Sequence, residues 1–333
     1  MPASSSSRSA FELAILAPLY NEEAVVSETL RRLDAVLDSM AQPTEVILVD
    51  DGSSDSTPLL LQQKALADSR YQCVLLSRNF GHTLALSAGM SVIRATEALF
   101  IIDGDLQDPP ELLPTFLQKF REGYDVVYGI RRQRKEGLLK RTAYHMAYRM
   151  IRAFASLDLP PDSGDFALVS RRVADLMNAM PESSRYLRGM RAWVGFKQTG
   201  IEYERSARVA GDTKYSLNAL IRLAFKGIIN FSELPVRFIT WAGGLSVTLA
   251  LAYLIYTVIR QWLYHDVPSG FTALVALSVL FHGVTLLSIG LIGEYILRIF
   301  MQQKRRPLFV VRTHVRDGMP VSDLHLNHSS PSS

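Results

Sequence analysis

The sequence predicts an α/β fold: a mostly parallel sheet with helices on both faces, followed by interfacial amphipathic helices and a two-helix transmembrane hairpin. Three observations carry this expectation. Short apolar runs alternate with segments of helical spacing from residue 11 to about residue 129, which is the pattern of crossovers between parallel strands. Loops rich in Asp, Asn, Ser and Gly follow the first four of those runs. Beyond residue 236 come two stretches of twenty-two residues, one without charge and one interrupted only by His282. Each is long enough to cross about 30 Å of hydrocarbon.

The elements follow in order. Residues 13–17 read as the first strand and 22–40 as the first helix, with apolar positions 26, 30, 33, 37 and 40 on one face. Strands are expected at 45–49, 73–76, 98–102 and 125–129, and helices at 57–67, 82–94 and from Pro110 to about Glu122. Asp55 or Ser56 can cap the second helix, and Pro110 suits a first helical position. In open parallel sheets ligands bind beyond the carboxyl ends of the strands, so the strand-end loops are where chemistry is expected.

Composition sets broad limits. The chain has 333 residues, 48% of them hydrophobic, and a net charge of +4. It can hold one large domain, or one domain with an appendage. The single cysteine, Cys73, lies in an apolar run; it excludes an internal disulfide framework and reads as a core residue. Residues 1–10 are Ser-rich without an apolar core and read as a disordered tail, not a signal peptide. No nucleic-acid partner is expected.

The most informative loop is Asp103-Gly104-Asp105-Leu106-Gln107-Asp108-Pro109-Pro110-Glu111. Two carboxylates one residue apart at a strand end can converge on one hard cation. Mg²⁺ or Mn²⁺ is typically held by one or two carboxylates and completed by substrate phosphates. The other loops carry Pro18-Leu19-Tyr20-Asn21-Glu22, Asp50-Asp51-Gly52-Ser53-Ser54-Asp55 and Ser77-Arg78-Asn79-Phe80-Gly81-His82. Tyr20 can stack on a nucleobase, Asp51 can accept a base N–H and a ribose hydroxyl, and Arg78 can neutralise phosphate.

This order of motifs resembles the family 2 glycosyltransferases of GT-A fold, and within them the polyprenyl-phosphate glycosyltransferases, the group of dolichol-phosphate mannose synthase and GtrB-type bactoprenol glucosyltransferases. The resemblance covers roughly residues 11–311. It implies that Pro18, Tyr20, Glu22 and Asp51 contact the nucleoside, and that Asp103 and Asp105 bind the diphosphate-bound metal with Gln107 as a further candidate ligand. It also implies that Arg131 lies near an acceptor phosphate and Asp165 near the reacting sugar, Asp165 being able alternatively to make a turn with Gly164. Asp105 and Asp165 are the candidate catalytic residues. Lys214 lies in a loop that in relatives folds over the site, where it is available to phosphate. The processive members open a Gln-x-x-Arg-Trp motif with Gln; this chain has Arg188 there, which argues against processive polysaccharide synthesis.

The expected organisation is a cytosolic catalytic domain at 11–216, an interfacial helix at 217–235, spans at about 238–259 and 271–292 within a hairpin at 236–299, and a strand with a flexible tail at 300–333. A basic run begins at Arg131 and continues to Arg141. Residues 144–155 form an amphipathic pattern that suits either a membrane surface or core packing. Arg222, Lys226 and Arg237 precede the spans and Arg298, Lys304, Arg305 and Arg306 follow them, while the connecting loop holds only Arg260. The positive-inside rule then puts the catalytic domain and both termini in the cytoplasm, at the inner membrane. The expected donor is a nucleoside diphosphate sugar, foremost UDP-glucose, with GDP-mannose, UDP-N-acetylhexosamine and UDP-aminoarabinose left open. The expected acceptor is polyprenyl phosphate. The oligomeric state stays open, a homo-oligomer included.

Overall fold

The computed structural model describes residues 11–131, 163–182, 185–204, 234–264, 270–304 and 306–321. The N-terminal tail, the basic run after Arg131, the amphipathic pattern at 144–155, Lys214 and its loop, the interfacial helix up to residue 233, and the tail from 322 lie outside the described residues. The chain divides into two compact units, one holding a sheet and the other two long helices.

The sheet unit begins with strand β1 (Leu13–Leu19), helix α1 (Glu23–Ser39), β2 (Thr44–Asp50), α2 (Thr57–Ala67), β3 (Tyr71–Leu76), α3 (His82–Met90) and β4 (Ala98–Ile101). A 3₁₀ turn (Pro110–Leu112) leads into α4 (Leu113–Arg121), then β5 (Val126–Arg131), β6 (Ser163–Ser170), α5 (Arg171–Ala179), α6 (Leu187–Val194) and β7 (Gln198–Tyr203). Strands β8 (Val311–Arg316) and β9 (Met319–Pro320) close the unit. The strand order is β7-β5-β6-β4-β1-β2-β3-β8-β9. Pairs β1–β2, β1–β4, β2–β3 and β5–β7 are parallel, whereas β6 runs antiparallel to both β4 and β5. Because β6 is antiparallel to both its neighbours, β5 and β7 point the same way as β4, and β1 to β5 and β7 deliver their carboxyl ends to one edge.

Successive residues of β1 alternate between two cores. Leu13, Ile15, Ala17 and Leu19 join one, and Ala14 and Leu16 the other, as a strand covered on both faces requires. The first core includes Phe100, Phe116, Phe166 and Tyr203, stacked with ring centroids 4.8–5.2 Å apart. Cys73 is buried in this core, as expected.

Strand β6, from a distant part of the chain, lies between β4 and β5. Two expectations need correction. Helix α3 stops at Met90 instead of Arg94: the buried Glu45 carboxylate accepts the backbone N–H groups of Arg94 and Ala95 at 2.7 and 2.9 Å, holding the chain in a turn. The C-terminal strand, read from the apolar run 307–311, starts only at Val311. Pro307 has no N–H to give a ladder, and Phe309 is buried in the second core. Strand β8 then pairs antiparallel with β3, covering what would be an open edge.

The helical unit holds α7 (Leu234–Tyr264) and α8 (Gly270–Gln303). Both are longer than the expected spans. Their most apolar stretches, Gly243–Arg260 and Leu280–Gln303, have mean hydropathies of 1.5 and 1.7 and are only 6% and 0% buried. So little burial does not fit core helices of a soluble protein; by length and composition both can cross a bilayer. His282 Nδ1 lies 2.7 Å from the Ser278 carbonyl oxygen one turn back.

Candidate active site

The carboxyl-edge loops of the sheet are tied to one another. After β1, Asn21 adopts a left-handed backbone (φ 53°); its N–H donates to Ser53 Oγ at 2.9 Å and its Oδ1 accepts the Ser54 N–H at 2.8 Å. Helices α1 and α2 cap each other: Glu23 accepts the Ser56 N–H, and Asp55 accepts the Glu23 N–H. Asp55 also caps its own helix by accepting the Thr57 N–H at 3.0 Å, while the Ser56 side chain makes no cap bond. Asp51 joins the second loop to the third, accepting the N–H groups of Phe80 and Gly81 at 2.7 and 2.9 Å. Burial raises the Asp51 pKa and these two bonds work against it.

The acidic loop after β4 is held from two sides. The Thr29 hydroxyl, which donates to the Val25 carbonyl at 2.9 Å, lies 3.5 Å from the Gly104 carbonyl, and Arg32 makes a two-pronged ion pair with Glu111. A Cβ on Gly104 would lie 2.5 Å from the Pro18 carbonyl oxygen, so only glycine lets this loop pass against the end of β1. Within the loop, Asp105 Oδ1 accepts the Gln107 N–H at 3.1 Å, and Gln107 and Asp108 are buried.

At the centre, His82 lies between two carboxylates. Its Nε2 is 3.7 Å from Asp103 Oδ1 and 3.6 Å from Asp165 Oδ2. Arg188 donates from Nε to the other oxygen of Asp165 at 3.1 Å. Burial alone would raise the Asp165 pKa, but His82 and Arg188 hold it well below the carboxylate range. Asp103 goes the other way: burial, then the charges of Asp108, Asp105 and Asp165, push it up to about 6 against the pull of His82. Two carboxylates that share His82 are thus set in opposite senses by their surroundings. Arg191, one turn along α6 from Arg188, is buried beside the Gly164 carbonyl and faces the Tyr128 ring; burial lowers its pKa to about 10.

The structure therefore brings together Asp103 and Asp165, which are far apart in sequence, through His82. Arg131 ends β5 and donates to the Tyr203 hydroxyl. Pro18 is buried at the end of β1, and Tyr20 is exposed just beyond it. The Glu22 N–H is held by Thr57 Oγ1. Arg78 is exposed, lying over the Phe80 ring and donating to the Asn79 carbonyl. Sequence reasoning assigned no role to His82, Arg188, Asp108 or Tyr203. His82 stood at the end of a noted motif, but nothing in its spacing says that it meets Asp103 and Asp165.

Among the described residues, no three His, Cys, Asp or Glu side chains gather closely enough to hold a metal ion between them. The donor chemistry nonetheless fits a hard divalent cation completed by phosphate oxygens. Asp103 and Asp105 supply carboxylates, and the burial and neighbouring negative charges that raise Asp103 are what a cation would offset.

The molecule is thus of the open α/β class with a mostly parallel sheet, in which ligands bind beyond the carboxyl ends of the strands. The profile of glycosyl transferase family 2 matches residues 14–176, and that of the GtrB C-terminal hairpin matches residues 234–299. The uncharacterized glycosyltransferase YkcC of Bacillus subtilis (strain 168) is 40% identical over 302 residues, 90% of this chain and 93% of that protein. A prophage bactoprenol glucosyl transferase homolog of Escherichia coli (strain K12) is 31% identical, and the bactoprenol glucosyl transferase of Shigella phage SfV 30% identical; each match covers 90% of this chain and 98% of the relative. Among solved structures, glucosyl-3-phosphoglycerate synthase from Mycobacterium tuberculosis, in complex with Mn²⁺, UDP and glucosyl-3-phosphoglycerate, is similar with a TM-score of 0.42 and 18% identity, over 66% of this chain and 78% of that one. The chain belongs to glycosyltransferase family 2, with a GT-A catalytic fold and a GtrB-type C-terminal hairpin.

Proposed function

We propose that this enzyme moves one sugar, with inversion, from a nucleoside diphosphate sugar, foremost UDP-glucose, to a polyprenyl phosphate at the cytoplasmic face of the inner membrane. The observation that carries this reading is the meeting of the Asp103–Asp105 loop with the Asp165–Arg188 pair through His82, in a chain with two bilayer-length apolar helices. The names of the bactoprenol relatives support the lipid acceptor. Asp103 and Asp105, with Gln107 beside them, would hold Mg²⁺ or Mn²⁺, which when bound supplies Lewis-acid stabilisation of the departing diphosphate. Pro18, Tyr20, Glu22 and Asp51 would line the nucleoside, with Arg78 and Lys214 as phosphate partners.

The lipid phosphate is itself the nucleophile. With a second pKa of about 6, by analogy with phosphoserine, it is largely dianionic at neutral pH. Asp165 therefore need not abstract a proton; fixed and ionised by Arg188, it orients the reacting groups and favours positive charge developing at the sugar's anomeric carbon. Arg131 draws the acceptor phosphate towards that carbon.

The test is a panel of radiolabelled nucleotide sugars with undecaprenyl phosphate in detergent, with Mg²⁺, Mn²⁺ or chelator, read by lipid extraction. Metal-dependent label in the lipid phase from one donor is expected. Label that instead accumulates as polymer would replace this reading with processive synthesis.

A further inference from the structure

We infer that Tyr203 is a positioning residue for the acceptor phosphate, holding Arg131 in place while keeping it from being neutralised by Asp108. This rests on the acceptor reading above.

Arg131 and Tyr203 are register partners at the carboxyl ends of the parallel strands β5 and β7. The Tyr203 hydroxyl donates to Asp108 Oδ1 at 2.6 Å and accepts from Arg131 Nε at 3.3 Å. It therefore stands between a guanidinium at the end of β5 and a carboxylate in the loop after β4. Tyr203 and Asp108 are both buried, so the bridge is rigid at two of its three members. The ring itself is locked by Phe166, with centroids 4.8 Å apart, and by Gly129, where a Cβ would come within 2.7 Å of Tyr203 Cε1.

A neutral phenol as the partner of Nε has a specific consequence. A direct Arg131–Asp108 pair would be charge-assisted and would cancel the cation locally. The phenol satisfies one guanidinium N–H, fixing a long side chain that otherwise loses conformational freedom on binding, and leaves the positive charge for an incoming anion. Asp108 is meanwhile tied to the hydroxyl inside the same loop that carries Asp103 and Asp105. One residue so couples the cation expected at the acceptor to the carboxylates expected at the donor.

The experiment uses the full-length protein in detergent. Farnesyl phosphate affinity is measured by calorimetry in the presence of UDP and Mn²⁺, alongside kcat and KM for sugar transfer. Tyr203→Phe keeps the ring and deletes the bridge; it should weaken farnesyl phosphate binding by about tenfold, the scale of one charge-assisted contact, and raise KM for the lipid, with UDP·Mn²⁺ affinity within about twofold of wild type. Arg131→Gln should lose at least as much, and Tyr203→Phe added to Arg131→Gln should then change little, because the effect runs through Arg131. Additive losses in the double variant, or unchanged prenyl-phosphate binding in folded Tyr203→Phe, would overturn the inference. If Tyr203→Phe melts too early to assay, Asp108→Ala tests the same separation from the other side: with no carboxylate left to compete for Arg131, prenyl-phosphate affinity should be retained, and a tenfold loss would count against the idea. A wild-type protein that neither binds farnesyl phosphate nor transfers sugar to lipid would refute the acceptor reading itself, a result visible before any variant is made.

Discussion

Arg188 Nε donates to Asp165 Oδ1 at 3.1 Å, across twenty-three residues of sequence and from helix to strand. This bond, with His82 on the other carboxylate oxygen, keeps Asp165 ionised in a buried setting. It gives Asp165 a fixed direction and charge, unlike Asp103, which burial and neighbouring carboxylates push up to about 6.

Asp165→Asn should therefore fold and bind UDP with normal metal dependence, yet transfer sugar on the order of a hundredfold more slowly, the mark of an interaction made mainly in the transition state. Calorimetry with UDP and Mn²⁺ beside a transfer assay checks it. Loss of nucleotide binding would move Asp165 to the donor side.

Asp105→Asn should behave differently. With Asp105 as the proposed metal ligand, the change removes a hard anionic oxygen donor while keeping side-chain shape, so both Mn²⁺-dependent UDP affinity and turnover should fall, turnover again by on the order of a hundredfold. Retained UDP affinity with normal Mn²⁺ dependence would show that Asp105 is not a ligand.

The hairpin can be tested without breaking the sheet only if β8 is kept. Truncation before Leu234 removes β8 together with α7 and α8, exposing the edge of β3, and should yield a destabilised, aggregation-prone protein. Replacing residues 234–304 with a flexible linker retains β8; that protein should bind UDP but transfer poorly to long-chain lipid. Undiminished transfer without detergent would refute the anchoring role.

His314 gives a pH dependence whose sign is fixed. Burial, then Arg316 and Arg94, lower its pKa from 6.5 to about 4, and its Nε2 lies 3.0 Å from Gln72 Oε1. Between those values the unfolded chain binds a proton that the folded chain refuses, so this contribution to stability is present above pH 6.5 and is lost as pH falls towards 4. The loss should reach about 2–3 kcal/mol by pH 4.5, at roughly 1.4 kcal/mol per pKa unit. Urea unfolding of wild type and His314→Gln at pH 7.5, 5.5 and 4.5 isolates it: Gln can donate to Gln72 without titrating, and the difference between the two proteins should shrink or reverse as pH falls. A pH-independent difference would rule out His314 as the source.

The alternation of apolar runs and helical spacing was enough to determine the strands β1 to β4, the helices between them, the edge at which the loops gather and the two long apolar helices. These are properties of local pattern: a period of two or 3.6, a Pro at a helix start, an uncharged run of bilayer length. The Asp103–Asp105 pair was legible for the same reason, since both carboxylates lie in one short loop. What only the tertiary structure decided is which distant residues meet. The insertion of β6 between β4 and β5 carries Asp165 to Asp103, and α6 then brings Arg188 to Asp165; no periodicity encodes a strand that joins a sheet out of order. The pairing of β8 with β3 was likewise fixed by an open strand edge in need of hydrogen bonds, which pushed the strand past Pro307. Whether Asp103 sits high and Asp165 low in pKa depends on burial and neighbouring charge, and those exist only once the chain has folded.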